Sequence, residues 1–163
     1  IYKYFKNKTA LIAAVTDFMF HSICTGIDMI CDLKKDPIEE IFDIKRFVLS
    51  NLKDEKSSTQ YQLQKYYPKI YASLSKKQFD VMKDCVVENL NHGIEKGLYR
   101  EEIDVEFISR IYFSGMVSIK NNDIFPLDNY SMNTLMNYYL EYHLRGICTE
   151  KGIKQLKNQL TQK

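Results

Sequence analysis

The chain has 163 residues, which is enough for one domain. Hydrophobic residues make up 45% and charged residues 27%, which excludes intrinsic disorder; six Gly and three Pro leave little material for a β-sandwich, a barrel or a Gly-rich nucleotide loop. A net charge of +2 does not indicate a protein that coats nucleic acid, so any DNA contact must be local.

Apolar residues recur at three- and four-residue steps along almost the whole chain, which predicts an all-α fold of six or seven helices. The first helix is expected over about 8–33, with Leu11, Ile12, Val15, Phe18, Met19, Ile23, Ile27 and Ile30 as one broad apolar stripe. Its longest unbroken apolar run, Ala10–Val15, is too short to cross a bilayer, and Asp17 and His21 interrupt it as a secretory signal. Asp36, Pro37 and Glu39 mark the start of a second helix that ends near Leu52. The polar stretch 53–59 reads as a connector between helices. A helical pattern over 60–73 contains Pro68, where a kink or a break is expected, because proline removes a backbone donor and crowds the preceding turn. Ser75 with Gln78 reads as a capping box opening a helix to about Lys96, with Gly97 as its left-handed stop. Asp104 caps the next helix, with Ile103 and Ile108 at hydrophobic-staple spacing. A loop over 121–130 holds Pro126. Ser131 caps a helix to about Thr149, and a short amphipathic helix over about 151–162 ends the chain.

Searches for chemistry are mostly negative. There is no GxSxG, Walker loop, dinucleotide fingerprint, HExxH or Glu-x-x-His pair, and no acid–base pair at workable spacing, so an enzyme is not expected. The four cysteines, Cys24, Cys31, Cys85 and Cys148, contain no CxxC and read as reduced thiols of a cytoplasmic chain, packed as small hydrophobes. His21, Cys24 and Cys31 share one helix, which supplies only part of a tetrahedral shell; no metal and no cofactor are expected. The chain holds twelve Tyr and nine Phe; Tyr61, Tyr66, Tyr67, Tyr71, Phe79 and Tyr99 concentrate in its middle, where they can form either core or the lining of a pocket with polar tips.

The opening octet Ile1-Tyr2-Lys3-Tyr4-Phe5-Lys6-Asn7-Lys8 sets two tyrosines and three lysines before a long helix, a composition suited to phosphate and base contacts or to a solvated basic segment. The run IYKYFKNKTALI closely resembles the end of the helix-turn-helix in TetR-type transcriptional regulators. The segments NLNHGIEKGLYREEID over 89–104 and YHLRGICTEKG over 142–152 resemble two further motifs of that family, so the likeness covers essentially the whole chain. It implies that residues 1–8 end a DNA-binding head, whose first two helices and most of the third lie outside this sequence, and that 9–163 form the ligand-binding and dimerisation domain. It implies a cytoplasmic homodimer on operator double-stranded DNA, released by a small-molecule effector, with no membrane partner. By motif position Tyr2, Lys3 and Tyr4 would face DNA and Lys8 would meet phosphate at a helix N-terminus. The last two long helices would dimerise as a four-helix bundle through Gly115, Met116, Ile119, Leu135, Tyr139, His143 and Gly146, burying ~2,000 Å² or more. The effector pocket would lie among the middle helices, with Phe47, Tyr61, Tyr66, Phe79, Met82, Cys85, Asn89 and Tyr112 chosen by composition. The alternative is an all-helical small-molecule binding protein that never meets DNA.

Overall fold

A computed structural model describes residues 4–51, 59–126 and 128–161, and all of their side chains except those of 59–61. The described residues form seven helices: α1 (Lys8–Cys31), α2 (Pro37–Asn51), α3 (Thr59–Tyr66), α4 (Pro68–Glu95), α5 (Val105–Ser118), α6 (Met132–Ile147) and α7 (Glu150–Thr161). The fold is all-α. The one sheet-like feature among them is an isolated antiparallel bridge between Tyr99 and Cys148.

Local chemistry sets the helix starts. Asn7 Oδ1 accepts from the Ala10 amide at 2.9 Å, Asp36 Oδ1 from the Ile38 amide at 2.9 Å, Asp104 Oδ1 from the Phe107 amide at 2.9 Å and Ser131 Oγ from the Thr134 amide at 3.1 Å. Glu39 does not close the expected capping box; its carboxylate takes the Lys35 ammonium at 2.9 Å instead. Pro68 breaks the chain outright, ending α3 and starting α4 at its own first position, where a missing N–H costs nothing. The capping box expected at Ser75 is a misreading. Ser75 lies inside α4, which runs unbroken for 28 residues, about 42 Å. Ser75 and Gln78 match a start signal, yet Pro68 had already supplied one.

The long α4 packs against α1, α2, α3 and α5, while α2 reaches across to α6 and α7. The core gathers Ile38 and Phe42 of α2, Leu90 of α4, Leu98 and Tyr99 of the following turn, Leu140 and Leu144 of α6 and Leu156 of α7. Burial of such side chains supplies about 2 kcal/mol each. The short α7 is therefore no loose appendage: Gly152, Leu156 and Gln159 are buried, and only Gly fits at 152, where a Cβ would collide with the Leu98 carbonyl.

The two motif segments around 97 and 148 meet in space. Gly97 stops α4 in the left-handed region at φ +68°. The chain then crosses to the end of α6. There the Arg100 amide donates to the Ile147 carbonyl at 2.9 Å, the Thr149 amide to the Leu98 carbonyl at 2.9 Å and the Thr149 hydroxyl to the Gly97 carbonyl at 2.7 Å. Lys151 Nζ adds a bond to the Lys96 carbonyl at 2.7 Å. Segments fifty residues apart thus satisfy each other's helix ends.

The apolar stripe expected on α1 does not form one buried face. None of its residues is buried; Leu11, Ile12, Ile23, Ile27 and Ile30 are half-covered by α2 and α4, while Val15, Phe18, Met19 and Met29 face outward. By length and composition α1 can also cross a membrane, with a mean hydropathy of 1.5, a property that counting unbroken apolar runs missed.

Candidate functional site

The outer face of α5 and α6 carries a group of exposed apolar and aromatic side chains. Phe107 and Ile111 on α5 are 58% and 45% exposed, and Tyr138 and Tyr142 on α6 are 65% and 80% exposed. Each pair is four residues apart, so each forms one stripe of its helix. Between the two helices lies an open groove of about 400 Å³ lined by Ile108, Tyr142, His143, Arg145, Gly146 and Ile147. Arg145 Nε donates to Glu141 Oε1 at 2.9 Å, which lays this cation along the α6 surface beside the groove.

Most of the residues expected to face a second subunit are covered by their own chain. Met116, Ile119, Leu135 and His143 are buried within their own chain, because α5 sets the first two and α6 the last two against neighbouring helices of the same subunit. Tyr139 is half-buried. Its hydroxyl donates to the Ile111 and Tyr112 carbonyls at 3.0 Å each, and its ring lies on Gly115, where a Cβ would strike it. Gly146 alone of that set is exposed, with open space beside it. The inward and the outward stripe of α6 both carry apolar or aromatic residues, and positions 138 and 142 lie on the outward one.

Most of the expected pocket residues with described side chains pack against their own chain. Asn89 is buried and saturated, donating to the Pro37 carbonyl at 2.9 Å and Glu40 Oε1 at 2.7 Å and accepting from the Tyr99 hydroxyl at 3.1 Å. Burial pushes the Glu40 carboxyl up, against the pull of that Asn89 bond. Tyr112 is buried against His143, ring centroids 5.2 Å apart, and burial raises its hydroxyl. The same burial lowers His143 to about 4, so its ring is neutral near pH 7. Phe79 meets Phe113 edge-on at 5.0 Å, with the Arg110 guanidinium 5.5 Å over its ring. The Phe47 ring fills the notch left by Gly26 of α1. Met82 packs half-buried on the core, Cys85 Sγ meets Cys31 Sγ at 3.5 Å, and Tyr66 is exposed beside Lys65. The Tyr61 side chain lies outside the described residues. Of those described, Met82, Cys85, Asn89 and Tyr112 share the interior where α4 meets its neighbours.

At the start of α1, Tyr4 is 82% exposed and Lys8 is the exposed first residue of the helix, next to the Asn7 cap. Tyr2 and Lys3 lie outside the described residues.

Family models, curated proteins and solved structures give no match to this chain. Among the described residues no three His, Cys, Asp or Glu side chains come together to hold a metal ion. His21 Nδ1 is engaged with the Asp17 carbonyl at 2.7 Å in its own helix. What the α5–α6 surface can do is bury aromatics against a complementary apolar face. What the α1 start can do is present an ammonium and free N–H groups to an anion.

Proposed function

We propose that this chain is the sensor and pairing body of a DNA-binding transcriptional regulator of the TetR type, acting as a repressor in the cytoplasm. A homodimer would hold operator DNA through the segment ahead of α1 and be released by a small-molecule effector. The observation that carries the reading is the outward stripe of Phe107, Ile111, Tyr138 and Tyr142, which flanks a groove able to take an aromatic side chain from a second copy. A two-fold axis over this stripe sets α5 and α6 of both copies side by side as four helices. Exposed Tyr4, Lys6 and Lys8 at the opposite end of the sequence of helices support a phosphate contact there. Effector binding would work by population shift: a tenfold loss of operator affinity needs only about 1.4 kcal/mol of coupling between α1 and the body.

The test is binding of the full-length protein to the DNA flanking its own gene. Binding that weakens steeply with salt, and that is lost in a Tyr4→Ala, Lys8→Ala double variant, supports the proposal. Unchanged affinity in the double variant overturns it and leaves an all-helical binding protein without DNA activity.

The length and hydropathy of α1 favour a second reading, in which that helix meets a membrane. Against it stand Lys77 of α4, paired to Asp17 of α1 at 2.7 Å, and the packing of α1 on α2 and α4. Flotation of the full chain with anionic lipid vesicles separates the two.

A further inference from the structure

Cys31 is the last residue of α1 and Cys85 lies in α4; their sulfurs are 3.5 Å apart across the helix–helix contact. Both are free thiols and both are only partly buried. A bonded S–S distance is about 2.05 Å, so closure needs roughly 1.5 Å of approach, within reach of side-chain rotation and a small helix shift. The pair is also asymmetric. Either thiol can donate across the 3.5 Å contact; with Cys85 as the donor, the bond lowers Cys31 below an ordinary thiol, and the same bond followed by burial raises Cys85. The other two thiols are held back: burial raises Cys24, and burial pushes Cys148 up to about 12.

We infer that Cys31 and Cys85 form a peroxide-oxidisable dithiol, with Cys31 as the attacking sulfur and Cys85 as the resolving one. The Cys31 thiolate attacks one oxygen of a hydroperoxide; the O–O bond breaks, the alkoxide or hydroxide leaves and takes up a proton, and Cys31 becomes a sulfenic acid. The Cys85 sulfur then attacks Cys31 Sγ; the S–O bond breaks, and hydroxide leaves as water with the Cys85 proton. Two thiols and one hydroperoxide thus give one disulfide, one alcohol or water, and one further water, with two electrons passed to the peroxide. A thiol reductant reverses the link. The product ties the last turn of α1 to the middle of α4, so the helix that leads into the body loses its freedom to shift against it. The chemistry is independent of any DNA-binding role.

The experiment treats the reduced chain with a modest excess of hydrogen peroxide, quenches with an alkylating agent and maps peptides without reduction. The expected result is a fall from four alkylatable thiols to two, a mass loss of about 2 Da, and one linked peptide pair containing Cys31 and Cys85, all reversed by dithiothreitol. Cys24→Ser leaves the link intact; Cys31→Ser abolishes it. Loss of Cys24 or Cys148 thiols as fast as Cys31, links between chains, or Cys31 passing to sulfinic acid while Cys85 stays free each overturns the inference. The wild-type peptide map decides even where a serine variant fails to fold. Alkylation rates of the untreated protein add a second measurement, with Cys31 expected to react fastest of the four.

Discussion

The hydroxyl of Tyr99 donates to Asn89 Oδ1 at 3.1 Å, and through Asn89 the turn after α4 is joined to the first turn of α2. Both residues are buried, and every Asn89 side-chain bond ends on a group that water does not reach.

Removing the amide strands three partners at once. Asn89→Leu is expected to cost about 3 kcal/mol, because the Tyr99 hydroxyl, the Pro37 carbonyl and Glu40 are left without it. Asn89→Asp sets a second carboxyl against Glu40. Its penalty should grow as pH rises, since the pair must then ionise in a buried site. Urea midpoints at pH 5 and pH 8 check both. A variant within 0.5 kcal/mol of the parent, as ordinary surface changes are, would show that the network carries no stability.

Burial lowers His143 to about 4 from an ordinary 6.5, so between these values the unfolded chain binds a proton that the folded chain refuses. The folded-state advantage is therefore fully present above pH 6.5 and is lost as pH falls toward 4, by about 3 kcal/mol at most. His143→Gln should flatten that part of the stability profile, although it loses some packing against Tyr112 and Tyr139. Denaturant melts across pH 4 to 7.5 measure it, and an unchanged slope in the variant would assign the acid sensitivity to other groups.

Two glycines of one turn should respond differently. At Gly97 a Cβ meets nothing, so Gly97→Ala carries only the left-handed backbone cost of about 1 kcal/mol. At Gly93 a Cβ would run into the ring of buried Tyr99, so Gly93→Ala should cost distinctly more, about 3 kcal/mol, as overpacked core positions do. Thermal melts rank the two, and the reverse order would mean that the Tyr99 ring yields easily.

The outward stripe predicts self-association. The wild-type chain should sediment as a dimer, and Phe107→Glu with Tyr142→Glu should sediment as a monomer of unchanged helicity, since both side chains leave the subunit core untouched. Gly146→Ala adds a sharper comparison. Within one chain its Cβ meets nothing, so helix propensity should stabilise the monomeric double variant by about 0.5–1 kcal/mol, while the same change should weaken the dimer if backbones approach there. A monomeric wild type would remove the pairing surface.

Much of this architecture was legible without coordinates. Asp36, Asp104 and Ser131 announce their helices because capping is a matter of a few adjacent residues, and Gly97 is the expected stop because a left-handed residue without a Cβ is local chemistry too. Pro68 marks a boundary, but whether it kinks one helix or separates two depends on what α3 and α4 pack against, as does the continuation of α4 through Ser75. The site residues were harder. On α6, positions 135, 139 and 143 and positions 138 and 142 are all apolar or aromatic, and periodicity cannot say which stripe meets α5 and which meets solvent.

By itself the sequence determined the all-helical class and most helix ends, since each follows from residues within one or two turns of one another. Only the tertiary structure decided that the segments around 97 and 148 satisfy each other's backbone, that Asn89 is buried and bonded to Pro37, Glu40 and Tyr99, and that Cys31 and Cys85 stand sulfur to sulfur. Most of those relations join residues about fifty positions apart, and their partners are chosen by how helices pack, a choice that no local pattern encodes.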